Sequence, residues 1–197
     1  KIQGSLTLTL IWLAFLALTA GLFEEVGRYV GYRWLFRGQD KTWPRAVMYG
    51  VGHAALESWF IMVITVVGVI NIIALSRTNL ATLPPAVQAP AAQQLAALST
   101  QPVWLPLLGA WERLWTLPVQ VALSVLVLQV FRQGSLRWLW LAILAHAFVD
   151  FTALAVGLIT AIPGFPRTLL IEGLVAVFGI IALGVIVRFR GDGGSGG

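Results

Sequence analysis

The sequence predicts an all-α, polytopic transmembrane helix bundle with five spanning helices. Composition is the first sign: of 197 residues, 58% are hydrophobic and only 11% charged, where soluble domains carry about 25% charged residues. Layout is the second. Long apolar stretches recur between short polar breaks, at a mean hydropathy of +0.86, and about 20 apolar residues in a helix cross the ~30 Å hydrocarbon core. The third is that most basic residues sit at the ends of those stretches. The net charge of +5 then points to orientation in the bilayer and to anionic headgroups, not to nucleic acid. The lack of cysteine excludes disulfides, thiolate metal sites and a cysteine nucleophile.

The elements follow in order. The first span runs from about Leu6 to Arg37, roughly 48 Å at 1.5 Å per residue. It exceeds the hydrocarbon core, and its second half carries Glu24, Glu25 and Arg28. That half is expected to enter a protein-lined cavity and then the inner interface. A short basic loop, Gly38 to Pro44, leads to the second span, Arg45 to Leu75. The stretch from Ser76 to Pro102 is polar and rich in Pro and Ala. It is long for a connection and is expected to hold a short helix around Ala91 to Leu98. The third span covers Val103 to Phe131 with Pro106 and Pro118 inside it, and Pro118 should kink it and free a carbonyl. The fourth runs from Leu136 to Ile162 and the fifth from Arg167 to Arg190. Residues 1–190 thus read as one integral membrane domain, and the Gly/Ser tail from Gly191 to Gly197 as a linker.

Orientation follows from the Lys/Arg bias. One side of the membrane collects Arg33, Arg37, Lys41, Arg45, Arg132, Arg137, Arg188 and Arg190; the other has Lys1, Arg77 and Arg167. The first side, with the carboxyl terminus, is expected in the cytoplasm. Trp34, Trp43, Trp138 and Trp140 then fall at the inner interface and Trp104 and Trp111 at the outer one, as aromatic belts. The helical rise gives depths from the cytoplasmic helix ends of ~12 Å for His53, ~14 Å for His146, ~17 Å for Gln120, ~18 Å for Glu57 and ~20 Å for Asp150. Glu24 and Glu25 fall at about 18 to 20 Å by the same rise. Four helices place polar groups in one layer, while Glu112 and Glu172 lie nearer the outer side.

Six polar residues form three i,i+4 pairs: Glu24 with Arg28, His53 with Glu57, and His146 with Asp150. That spacing puts both members on one helix face. Ionisable groups at membrane depth are costly and tend to face a bundle interior, where they mark function. Imidazoles and carboxylates together hold a general base, a general acid and oxyanion donors, and equally a zinc-type ligand set. A nucleophilic serine fits less well, since Ser58 lies about 100° around the helix from Glu57 and nothing near Ser124 resembles a serine-base pattern. The plain alternatives are an interfacial salt bridge for Glu24, Glu25 and Arg28, and interhelical polar contacts for the histidine pairs. Gln120, beside Pro118, and the Glu112–Arg113 pair read more readily as structural.

Glu24-Glu25-Val26-Gly27-Arg28, then Tyr49 four residues before His53, then His146-x-x-x-Asp150 resemble, in that order, the three motifs of the glutamic-type intramembrane proteases. That superfamily takes in the CAAX prenyl endopeptidases, the PrsW proteases and the YhfC-type proteins. Gly50-Val51-Gly52-His53-Ala54-Ala55-Leu56-Glu57, with Glu112-Arg113 and the run through Ser124, is most similar to the YhfC-type branch. The resemblance covers about Leu6 to Leu158. CAAX-type enzymes have Glu-Glu-x-x-x-Arg where this chain has Glu-Glu-x-x-Arg, which argues against prenyl-protein processing. Gln120 stands near a position where the YhfC-type branch often has histidine. The superfamily usually has helices before the Glu-Glu motif, so segments upstream of Lys1 are expected.

The resemblance implies an intramembrane endopeptidase of the cell membrane that cuts a peptide bond of a membrane-associated or transmembrane substrate. Glu24 would activate water with help from His53. His146 and Asp150 would stabilise the oxyanion or orient the water, Asp150 donating only in its protonated form. Glu25 would pair with Arg28 and hold the helix face, and so set the charge state of Glu24. Glu57 would buttress a histidine or serve as a second carboxylate, with Arg28 and Gln120 in support. This mechanism needs no cofactor. A zinc-dependent membrane metalloprotease using Glu24, His53 and His146 as ligands is the alternative. A non-catalytic transporter or immunity-type scaffold is a third reading, in which the buried acids carry protons or bind a partner.

Overall fold

The third span explains the rest of the bundle. Every residue from Val119 to Val130 is buried, so this helix is covered on all sides, as an all-round apolar helix must be in a core. The computed structural model describes residues 5–99, 102, 104–160 and 164–190. In them the chain forms α1 (Leu6–Trp34), α2 (Trp43–Ser76), a 3-10 turn (Leu80–Thr82), α3 (Pro85–Ser99), α4 (Pro106–Gln133), α5 (Arg137–Ile159) and α6 (Phe165–Arg188). Among the described residues there is no strand. α1, α2, α4, α5 and α6 are each long and apolar enough to cross a membrane, and the protein is a multi-pass membrane protein.

The helix ends differ from the sequence expectation by a few residues, for local reasons. α1 stops at Trp34, short of Arg37, because the chain turns toward Gly38 at φ 72°. α4 begins at Pro106, whose missing N–H costs nothing in a first turn, and runs past Phe131 to Gln133 before Gly134 at φ 64°. Glycine takes that left-handed backbone without strain and ends helices for that reason. α3 is longer than the short helix expected around Ala91 to Leu98; it begins at Pro85 and carries Pro90 within it. The expected end of the fourth span at Ile162 and the Gly191–Gly197 tail lie outside the described residues.

The chain divides into two compact units, one holding residues up to Ala54 and from Trp111 onward, the other Ala55–Ala110. In the first, α1 lies antiparallel to α5 along a stripe of Ala17, Gly21, Glu25, Arg28 and Tyr32. At Gly21 an added Cβ would stand 2.8 Å from the Ile143 carbonyl oxygen and 3.2 Å from the Ala147 nitrogen. At Gly50 of α2 a Cβ would stand 2.6 Å from the Val121 Cα of α4. Lipid tails are as apolar as leucine, so close backbone approach through small residues, rather than hydrophobic burial, holds membrane helices together. Trp43 of α2 adds an indole N–H bond of 2.9 Å to the Ile186 carbonyl of α6.

In the second unit, α2 continues from Ala55 to Ser76 with nearly all of its apolar side chains exposed. The Asn79 side chain caps the 3-10 turn by accepting from the Ala81 N–H at 3.1 Å. Gln88 of α3 donates to the Leu83 carbonyl at 2.8 Å. Glu57 is half-buried within this unit.

Gly21→Ala should lower stability by about 1–3 kcal/mol, the usual cost of overpacking. Gly27→Ala is the control, because nothing lies within 4 Å of a Cβ there. Thermal unfolding of the purified variants in one detergent checks this. Equal melting temperatures would refute the tight α1–α5 seam.

Candidate active site

The buried stripe of α1 carries an acid and a base one turn apart. Glu25 and Arg28 are 0% and 1% exposed, and the guanidinium Nη1 donates to both carboxylate oxygens of Glu25, at 2.6 and 2.7 Å. Arg28 Nη2 donates to Gln120 Oε1 of α4 at 2.6 Å. The same Glu25 carboxylate meets His146 Nδ1 of α5 at 2.8 Å. Three helices are thereby tied through one carboxylate and its cation. In a low-dielectric interior such charges persist only when paired and fully hydrogen-bonded.

Glu24 is one residue away, about 100° around the helix, and points differently. Its side chain remains 36% exposed. Its Oε2 lies 3.2 Å from His53 Nε2 of α2 and 3.7 Å from His146 Nε2. His146 Nε2 is also 3.6 Å from Asp150 Oδ2, and Asp150 is 37% exposed. Glu24, His53 and Asp150 therefore form an accessible group, joined through the buried His146 to a buried one made of Glu25, Arg28 and Gln120.

The tautomer of His146 follows from its neighbours. Glu25, chelated by Arg28, can only accept, so Nδ1 must carry the proton. Nε2 then faces Glu24 and Asp150. A lone pair between two carboxylates is repelled unless a proton or a cation lies among them. Glu24 Oε2 and Asp150 Oδ2 approach that nitrogen at 3.7 and 3.6 Å.

These residues fit a divalent zinc ion by type. Two imidazole Nε2 atoms and carboxylate oxygens are its usual nitrogen and oxygen donors. A carboxylate on the far nitrogen of a ligand histidine, as Glu25 is to His146, is the usual support of such a ligand. The pair spacings of 3.2 and 3.7 Å bracket the ~3.3 Å between two donors of a tetrahedral zinc with bonds of about 2.0–2.1 Å. Among the described residues, however, no three such side chains close around a single point.

Of the residues singled out by sequence, the structure brings Glu24, Glu25, Arg28, His53, Gln120, His146 and Asp150 together. Glu57 belongs to the second unit. Glu112 pairs with its neighbour Arg113 at 2.5 Å, and Glu172 is buried on α6. Sequence reading missed Tyr32, which is fully buried and donates to the Ser124 carbonyl at 2.9 Å. Its ring meets that of Tyr49 edge-on at 5.0 Å. The signal was there: Ala17, Gly21, Glu25, Arg28 and Tyr32 are spaced by fours and threes, the period of one helix face.

A model of the YhfC intramembrane metalloprotease family matches residues 2–175, and the chain belongs to that family. It is similar to the uncharacterized membrane protein YhfC of Bacillus subtilis (strain 168), with 32% identity over 142 residues. The matched region is 69% of this chain and 54% of the relative, so the chain spans about half the length of that relative. No solved structure matches it. The family's description points to a metal, whereas the sequence reading preferred metal-free catalysis.

Arg28→Met leaves the Glu25 carboxylate buried without its cation and should cost about 3–5 kcal/mol. Adding Glu25→Gln, which keeps an acceptor for His146 Nδ1, should recover much of that loss. Unfolding of both variants in mixed micelles checks the ordering; a double variant less stable than Arg28→Met would contradict it.

Proposed function

We propose that this YhfC-family protein is a membrane-embedded endopeptidase that hydrolyses a peptide bond of a membrane-associated or transmembrane substrate, with Glu24, His53, His146 and Asp150 at the reacting centre. The observation carrying this reading is the convergence of two imidazole Nε2 atoms and two carboxylates, from three helices, beside the buried Glu25–Arg28 pair.

The donor set, two imidazole Nε2 atoms with a carboxylate, favours a zinc-dependent form. His53 Nε2, His146 Nε2 and the Glu24 carboxylate would hold the ion, which supplies Lewis acidity and lowers the pKa of water. Asp150 takes the proton of the attacking water as its oxygen adds to the peptide carbonyl carbon, and later returns it to the departing amine nitrogen. Glu25 fixes the ring plane and tautomer of His146, and Arg28 holds the Glu25 carboxylate in position through both of its oxygens. Gln120 holds the second guanidinium nitrogen, so the Arg28 fork cannot swing away from Glu25.

A metal-free form is the second reading, favoured by the 3.2 Å contact of His53 Nε2 with Glu24. There Glu24 itself deprotonates the water, and a protonated His53 or Asp150 donates to the oxyanion.

One experiment separates the two. Metal content and cleavage of an apolar fluorogenic peptide library are measured for wild type, Glu24→Gln and Asp150→Asn. In the zinc form, wild type carries about one zinc per chain, chelation removes activity, and Glu24→Gln loses metal and activity together. Asp150→Asn keeps the metal and loses about 10²–10⁴-fold in rate, the range for a proton-transfer group. Chelator-resistant cleavage abolished by Glu24→Gln would select the metal-free form. Peptides left intact by metal-loaded, folded wild type would count against the peptidase.

A further inference from the structure

A cavity of about 310 Å³ adjoins the reacting centre, lined by Leu16, Ala17 and Ala20 of α1 and Asp150, Ala153 and Leu154 of α5. It lies where the antiparallel pair opens beyond the tight contact at Gly21. Ala20 precedes Glu24 by four residues, and Ala153 follows Asp150 by three, so each continues the face that carries the reacting carboxylate. Leu16 and Leu154 are 42% and 50% exposed and flank the cavity on the outer surface of the helix pair.

Resting on the peptidase reading above, we infer that this cavity is the side-chain subsite of the enzyme. It receives an apolar residue next to the bond to be cleaved, and Ala20 and Ala153 set the size accepted. Three features argue for that occupant. Asp150 is a wall of the cavity and also lies 3.6 Å from His146 Nε2, so the cavity and the reacting group are continuous. One helical turn, about 5.4 Å, separates Ala20 from Glu24, and an extended peptide advances about 3.3 Å per residue. A side chain seated there belongs to a residue within one or two of the scissile bond. The volume sits at the low end of the ~300–1,000 Å³ of small-molecule pockets, room for one branched or aromatic side chain and not for a folded segment. The alanines matter because they leave the space, as only small side chains can on both facing helices.

The test uses apolar quenched-fluorescence peptides identical except for a central triplet of Gly, Ala, Leu or Phe. They are cleaved by wild type, Ala20→Leu and Ala153→Leu in lipid nanodiscs. One methylene in an apolar pocket is worth about 10- to 200-fold in discrimination. The Leu-to-Gly ratio of kcat/KM should therefore fall at least tenfold in each variant, mostly through KM, since binding rather than chemistry is removed. A ratio unchanged in both variants, with wild type active, overturns the subsite and leaves the peptidase standing. Peptide binding by fluorescence anisotropy, in a Glu24→Gln background, gives an arm that does not depend on turnover. If wild type cleaves none of the peptides, yet Leu and Phe peptides bind and the filling variants abolish that preference, the subsite stands and the peptidase reading falls. Binding blind to the triplet, or to both fillings, removes the subsite. Substitutions on two different helices, with Ala20→Val as a milder filling, guard against one variant failing to fold.

Discussion

The Glu25 carboxylate is the joint on which the first unit depends. It takes both Nη1 bonds of Arg28 and the Nδ1 contact of His146 while having no exposure to solvent. Through Arg28 it reaches Gln120 on α4, and through His146 it reaches α5. In a bilayer, burying apolar side chains between helices gains little, so steric fit and interhelical hydrogen bonds must decide register. A charged joint is costly to form and costlier to break, because removing one member strands the others. That asymmetry makes it a device for fixing one arrangement. The close approach at Gly21, one turn before Glu25, brings the two backbones near enough for a glutamate to span to His146.

Much of the fold was legible in the sequence because spanning a membrane leaves few options for the backbone. Five apolar runs became five long helices, with ends shifted by a few residues, in part where Gly38, Gly134 or Pro106 set a boundary. Helix spacing paired Glu24 with Arg28, His53 with Glu57 and His146 with Asp150, and the resemblance to the intramembrane proteases picked Glu24, His53, His146 and Asp150 from among them. What periodicity could not supply was which helices are neighbours. Gln120 read as polar contact material beside Pro118; its role as second acceptor for Arg28 depends on α4 lying against α1, and no residue on α4 announces that. Tyr32 was overlooked for a different reason: a tyrosine near a helix end looks interfacial until the stripe through Ala17, Gly21, Glu25 and Arg28 is followed to its end. The split at Ala54 was also illegible, because α2 is continuous in sequence pattern through Glu57.

The two adjacent glutamates illustrate how a single helix separates structure from chemistry. A step of one residue turns the side chain by about 100°. Glu25 falls on the seam and is consumed by Arg28 and His146. Glu24 falls beside it, keeps 36% of its side-chain surface accessible, and meets the Nε2 atoms of both histidines. Had the pair been spaced i,i+4, both acids would share one face, and either both would be buried or both would be open.

That division concentrates charge around one ring nitrogen. Arg28 balances Glu25, but Glu24 and Asp150 both approach His146 Nε2, whose partner nitrogen is committed to Glu25. Two like charges around one lone pair cannot persist at membrane depth without a positive species among them. Protons can fill that role by converting the carboxylates to donors, and a divalent cation can fill it by drawing the same atoms inward as ligands. Both answers place the compensating charge on the Nε2 side of His146, toward the accessible Glu24 and Asp150. The buried pair therefore does more than hold the helices. By fixing the proton on Nδ1, it reserves the Nε2 side of His146 for whichever cation the reaction uses.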